Sequence, residues 1–60
     1  MTAKDLEKLI RQDGWELHSI TGSHHHYKHP TKKGRVTIPF HAGDIPKGTF
    51  NSILKQAGLK

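Results

Sequence analysis

An α+β fold in the order helix, three strands, helix is predicted by three observations. Apolar residues recur at helical spacing near both ends of the chain, in Leu6, Leu9 and Ile10 and again in Phe50, Ile53, Leu54 and Ala57. Between them lie three short runs rich in strand formers, and the last of these, Val36-Thr37-Ile38-Pro39-Phe40, alternates cleanly. The breaks between runs fall where turn-forming residues cluster, at Gly14, at Gly22-Ser23 and from Pro30 to Gly34. With 60 residues there is room for only one small core, so residues 1–60 are read as a single domain. A three-stranded antiparallel sheet with both helices on one face is the economical way to bury two helical stripes.

Each element has its own justification. Thr2 followed three residues later by Asp5 is a helix-start pattern, Ala3 extends the apolar stripe by a turn, and Gly14 marks the stop. The first strand runs from Trp15 to Ile20 with imperfect alternation: Trp15 and Leu17 share one face, and Ile20 falls on the other. Thr21-Gly22-Ser23 is a tight connection into a second strand, His24 to His29, which Pro30 ends because proline has no donor for the ladder. The charged turn Pro30 to Gly34 leads to a third strand, Arg35 to His41, with Val36, Ile38 and Phe40 inward and Thr37 and Pro39 outward. Pro39 points to an edge, or at least to a position whose N–H is not needed. After the loop 41–44, Ile45-Pro46 opens the last helix and Gly58 ends it. This topology is that of double-stranded-RNA-binding domains, although a fold by itself does not fix an activity.

Charge narrows the partner class. Ten Lys/Arg against five Asp/Glu give a net charge of +5 with neutral histidines, which draws a small domain toward polyanions, nucleic acid foremost. An acidic protein would feel the same attraction. The absence of cysteine excludes a disulfide scaffold and any thiolate zinc site. No apolar run has the length of a membrane span or a signal-peptide core, so a cytoplasmic location with no membrane partner is expected.

Four of the six histidines fall in the stretch Gly22-Ser23-His24-His25-His26-Tyr27-Lys28-His29-Pro30. Imidazoles at i and i+2 of a strand share a face, so His24 and His26 could hold a metal with His18 or Tyr27 nearby. A structural zinc site needs four ligands, however, and the chain offers no matched second pair, so neither a metal nor another cofactor is expected. His25, His26 and His29 read as half-buried residues of a two-sided strand. His24 differs, because it follows Gly22-Ser23 where a turn feeds a strand. A side chain there projects from a rigid platform while the glycine lets another backbone approach. An imidazole so placed suits RNA cleavage, in which one group takes the 2′-hydroxyl proton and another protonates the leaving 5′-oxygen. On the residues alone, an RNA-binding module and a protein-interaction domain remain open beside it.

Gly22-Ser23-His24 with His25-His26-Tyr27, Val36-Thr37-Ile38-Pro39, Lys47-Gly48-Thr49-Phe50 and Ile53-Leu54-Lys55-Gln56-Ala57-Gly58 together resemble the HicA toxins of bacterial toxin–antitoxin pairs, over nearly the whole chain. The resemblance implies a fold like the double-stranded-RNA-binding domain and an mRNA interferase, an endoribonuclease that cuts transcripts and arrests growth without a metal. It also implies a HicB antitoxin that covers the active site, and it assigns the catalytic role to His24. A non-catalytic RNA-binding module of the same fold is the alternative. Candidates for supporting roles at the RNA are Gly22, Ser23, His26, Lys28 and Lys47: Ser23 either bonds phosphate or only fixes the turn, Lys28 either holds phosphate or is an ordinary solvated lysine, and His26 either serves as partner acid or diverges from His24. Lys32, Lys33, Arg35 and Lys47 read as a diffuse electrostatic footprint. Trp15 and Tyr27 read as core rather than as base-stacking platforms. Ordinary double-stranded-RNA-binding domains open their last helix with a lysine cluster. Here only Lys47 occupies that region, which argues against duplex recognition by shape.

Overall fold

The structure, a computed structural model, describes residues 1–41 and 43–60. The expected loop 41–44 includes Ala42, which lies outside the described residues. Five elements follow one another: α1 (Ala3–Gln12), β1 (Glu16–Thr21), β2 (His24–Lys28), β3 (Val36–Pro39) and α2 (Lys47–Gln56). The strands form one antiparallel sheet in the order β1-β2-β3. This is the α+β arrangement that the hydrophobic pattern predicts. Among the described residues no helix is long and apolar enough to cross a membrane.

The helix ends are set by local chemistry. Thr2 Oγ1 accepts from Asp5 N–H and the Asp5 carboxylate accepts from Thr2 N–H, both at 3.2 Å, a reciprocal cap on α1. At the other end Gly14 N–H donates to the Arg11 carbonyl and Trp15 N–H to that of Ile10. α2 ends the same way, with Gly58 bonded to Lys55 and Leu59 to Leu54. Gly14 is needed twice over. Its φ of +107° is one that side-chain-bearing residues avoid, and a Cβ there would sit 2.7 Å from His29 Nε2.

The core lies between the helices and one face of β2 and β3. Ala3, Leu6 and Ile10 from α1 cluster with Ile53 of α2 and Ala57 at its C-terminal cap, together with Trp15, Tyr27, Val36 and Ile38. Trp15 and Tyr27 are fully buried, as a small core requires, and neither is presented to a base. Tyr27 donates its hydroxyl proton to the Glu7 carboxylate. Burial first, and then that carboxylate, push the Tyr27 pKa upward, so the hydroxyl stays a donor.

Three expectations about the strands are corrected, the first being the extent of the third strand, expected over Arg35 to His41 and confined to Val36–Pro39. Ile20 does not face away from Leu17. The register pairs Leu17 with Tyr27 and Ile20 with His25, with His18 as an extra residue between Leu17 and Ser19. This bulge resets the alternation and returns Ile20 to the Leu17 face. Both side chains remain exposed there, because the main helix–sheet contacts fall on β3 at the opposite edge. His29 is not part of β2, which ends at Lys28. Its Nε2–H donates to the Asp13 carbonyl at 2.7 Å, and Nδ1 accepts from the N–H groups of Thr31 and Lys32. These partners fix one tautomer and make His29 a clamp between the end of β2 and the end of α1.

Lys32, expected in the electrostatic footprint, is committed instead to structure. Its ammonium bonds the Asp13 carboxylate and, at 3.0 Å, the Ala57 carbonyl. The Lys32 hydrogen bond holds the Asp13 carboxyl below its ordinary range, and the Thr2 backbone does the same for Asp5. A carboxylate lowered in the folded state adds stability that is present above its unfolded pKa of about 3.9 and is lost as pH falls through the lowered value. Asp13→Asn should therefore lower the thermal midpoint at pH 7, and the difference should shrink as pH falls through the lowered value. Equal midpoints at pH 7 would show that the Lys32 contact carries no stability.

Candidate functional site

Gly22 adopts φ +58°, the left-handed region that a tight β1–β2 connection needs. Nothing lies within 4 Å of a Cβ built there, so the reason for glycine is conformation and not the close approach of another backbone. The turn delivers Ser23 and then His24 to the start of β2. Ser23 is half-buried, and its carbonyl accepts from Phe40 N–H at 2.6 Å. That bond ties the chain leaving β3 to the chain entering β2.

Register sorts the histidines onto two faces. His25 pairs with Ile38 and Tyr27 with Val36, which places both on the helix side. There the His25 ring stacks on Phe40 with centroids 3.8 Å apart, and its buried Nδ1 has no hydrogen-bond partner among the described residues. His24 pairs with Pro39 and His26 with Thr37, on the open face. His26 is half-buried and its Nδ1 shares a 3.0 Å hydrogen bond with Thr37 Oγ1. His24 is exposed. Sequence reasoning did not single out the residue beside it: the His41 ring centroid lies 6.3 Å from that of His24, with the planes at 82°. Its signal was parity, since His41 continues the outward series of Thr37 and Pro39.

The expected basic residues are spread out. Lys28 is exposed on the open face opposite Glu16, four residues along an extended strand from His24. At about 3.3 Å per residue their backbones are ~13 Å apart, so only the long lysine side chain could bring its ammonium toward a phosphate held at His24. Lys47 is exposed at the first residue of α2, in the helical layer and not on the strand face that carries His24. Tyr27, once a possible metal ligand beside His24, points into the core. Among the described residues no group of three or more His, Cys, Asp or Glu is gathered closely enough to hold a metal ion.

The arrangement is thus an exposed imidazole at a rigid strand start, with a second imidazole nearby, on the uncovered face of a small basic domain. Comparison with curated proteins finds no match. Comparison with protein families finds one, described as the HicA toxin of bacterial toxin-antitoxin, matching residues 3–59. That span includes α1, all three strands, the Gly22-Ser23-His24 turn and α2. The chain belongs to the HicA toxin family, the toxin component of bacterial toxin–antitoxin systems.

Proposed function

We propose that this toxin is an mRNA interferase, an endoribonuclease that cleaves transcripts with His24 as general acid or base and is silenced by a HicB-like antitoxin. The observation that carries the reading is the family match over residues 3–59, since membership in a toxin family also implies an antitoxin partner. The geometry adds physical support. Proton transfer to or from a ribose or phosphate oxygen needs an imidazole that solvent and substrate can reach, and His24 is exposed on a strand whose neighbours are fixed. A backbone pinned by Gly22 and by the Ser23 carbonyl holds the ring's origin still, which is how a site limits reorganisation during reaction.

The supporting residues divide by distance. Gly22 and Ser23 position His24. Lys28, exposed on the same face about 13 Å along the strand, is a candidate contact for an RNA phosphate. Lys47 and the net charge of +5 raise the local concentration of RNA by long-range attraction. A cytoplasmic site of action follows from an mRNA substrate.

The test uses purified protein, a short single-stranded RNA and EDTA. Cleavage should proceed with the chelator present and leave a 2′,3′-cyclic phosphate and a 5′-hydroxyl. Addition of the protein encoded beside the toxin gene should stop it. A tight gel shift with intact RNA after prolonged incubation would replace this reading with a non-catalytic RNA-binding module. Complete loss in EDTA, restored by added divalent metal, would overturn the metal-independent mechanism.

A further inference from the structure

We propose that His41 is the second proton-transferring group of the site, acting with His24 on one phosphodiester. This rests on the ribonuclease reading above and assigns the group that reading leaves open. Two backbone facts place the pair. His24 is in register with Pro39, and the hydrogen bond from Phe40 N–H to the Ser23 carbonyl holds the outgoing strand against the incoming one. Phe40 turns to the helix side, where it stacks on His25, and His41 returns to the open face beside His24. Both rings are exposed, so a strand of RNA can reach either.

The separation suits in-line displacement at phosphorus. A general acid or base works from about 2.6–3.2 Å of the oxygen it serves, and the attacking and leaving oxygens lie on opposite sides of the phosphorus. Imidazole centroids 6.3 Å apart can flank one phosphodiester without bonding to each other. As the O2′–P bond forms, the 2′-hydroxyl proton passes to the neutral ring. As the P–O5′ bond breaks, the leaving oxygen takes a proton from the protonated ring. Proton exchange with water then resets both. His26 is the rival for the second role, but its ring is half-buried and its Nδ1 is engaged by Thr37.

The experiment compares wild type, His24→Ala, His41→Ala, His26→Ala and the His24/His41 double variant on RNA, each checked for fold by circular dichroism. His41→Ala should slow cleavage by ~100-fold or more, and the double variant should be little worse than the slower single, because the two groups serve one step. RNA carrying a bridging sulfur in place of the 5′-oxygen has a leaving group that needs no acid. It should restore one of the two single variants, the one lacking the acid, and leave the other slow. Near-wild-type cleavage by His41→Ala, or a deep loss on His26→Ala alone, would overturn the inference while leaving the ribonuclease reading intact. So would a slow His41→Ala with neither variant restored by sulfur, which would make His41 a positioning residue. A wild type that cuts no RNA would overturn the underlying reading instead.

Discussion

His24→Ala should lower RNA cleavage by roughly 10²–10⁴-fold, the usual contribution of one proton-transferring side chain, and should leave the fold intact. The two halves of that expectation have separate grounds. His24 is exposed, and the ring contact found for it is the 6.3 Å approach to His41, so truncation opens no cavity. Surface substitutions of this kind usually change stability by no more than about 0.5 kcal/mol. His25→Ala is the informative neighbour. Its ring stacks on Phe40 on the helix side, so removing it should lower the thermal midpoint while sparing the chemistry of the folded fraction. Cleavage kinetics and thermal melts on the two variants should therefore move in opposite columns. Full activity in His24→Ala, free of contaminating nuclease, would remove the residue from the mechanism.

Much of the fold is legible in the sequence. Helical spacing found both helices, Thr2 with Asp5 located the start of α1, and Gly14 and Gly58 located the two ends. Alternation in Val36-Thr37-Ile38 assigned the buried face of β3 correctly. Two kinds of information are hidden. The first is the bulge at His18: period-two alternation cannot reveal an extra residue, so it assigns Ile20 to the wrong face. The second is register. Only once His24 is known to pair with Pro39 does the outward parity of His41 become proximity to His24. Same-face reasoning holds for Lys28, which shares the open face with His24 at ~13 Å of strand rise.

β2 carries two different jobs at its two ends. His24, at its start, belongs to the exposed site. His29, just past its end and about 16 Å away by strand rise, is locked into structure through Asp13, Thr31 and Lys32. This separation is why the histidines of one short run should respond so differently to substitution.

Trp15→Ala should abolish most of the folded population at 25 °C, for reasons concentrated at that second end. The buried Trp15 ring sits at the end of α1, and its Nε1–H donates to the Ala57 carbonyl at 3.3 Å, joining that end to the end of α2. The ring packs edge-on against His29 with centroids 5.2 Å apart. Truncating a buried tryptophan costs about 3–5 kcal/mol. A 60-residue chain at roughly 0.05–0.15 kcal/mol per residue has only about 3–9 kcal/mol in total. The loss is therefore comparable to the whole stability, and urea titration followed by circular dichroism should show little or no folded baseline. Trp15→Phe separates the two contributions: it keeps most of the apolar contact and removes the Nε1–H donor. Since the Ala57 carbonyl still accepts from Lys32, that variant should lose only about 1–2 kcal/mol and stay folded. Its folded fraction should cleave RNA at the wild-type rate, because Trp15 lies in the core and His24 on the open face. A cooperative melt for Trp15→Ala near the wild-type midpoint would mean that the two helices are held together by other contacts.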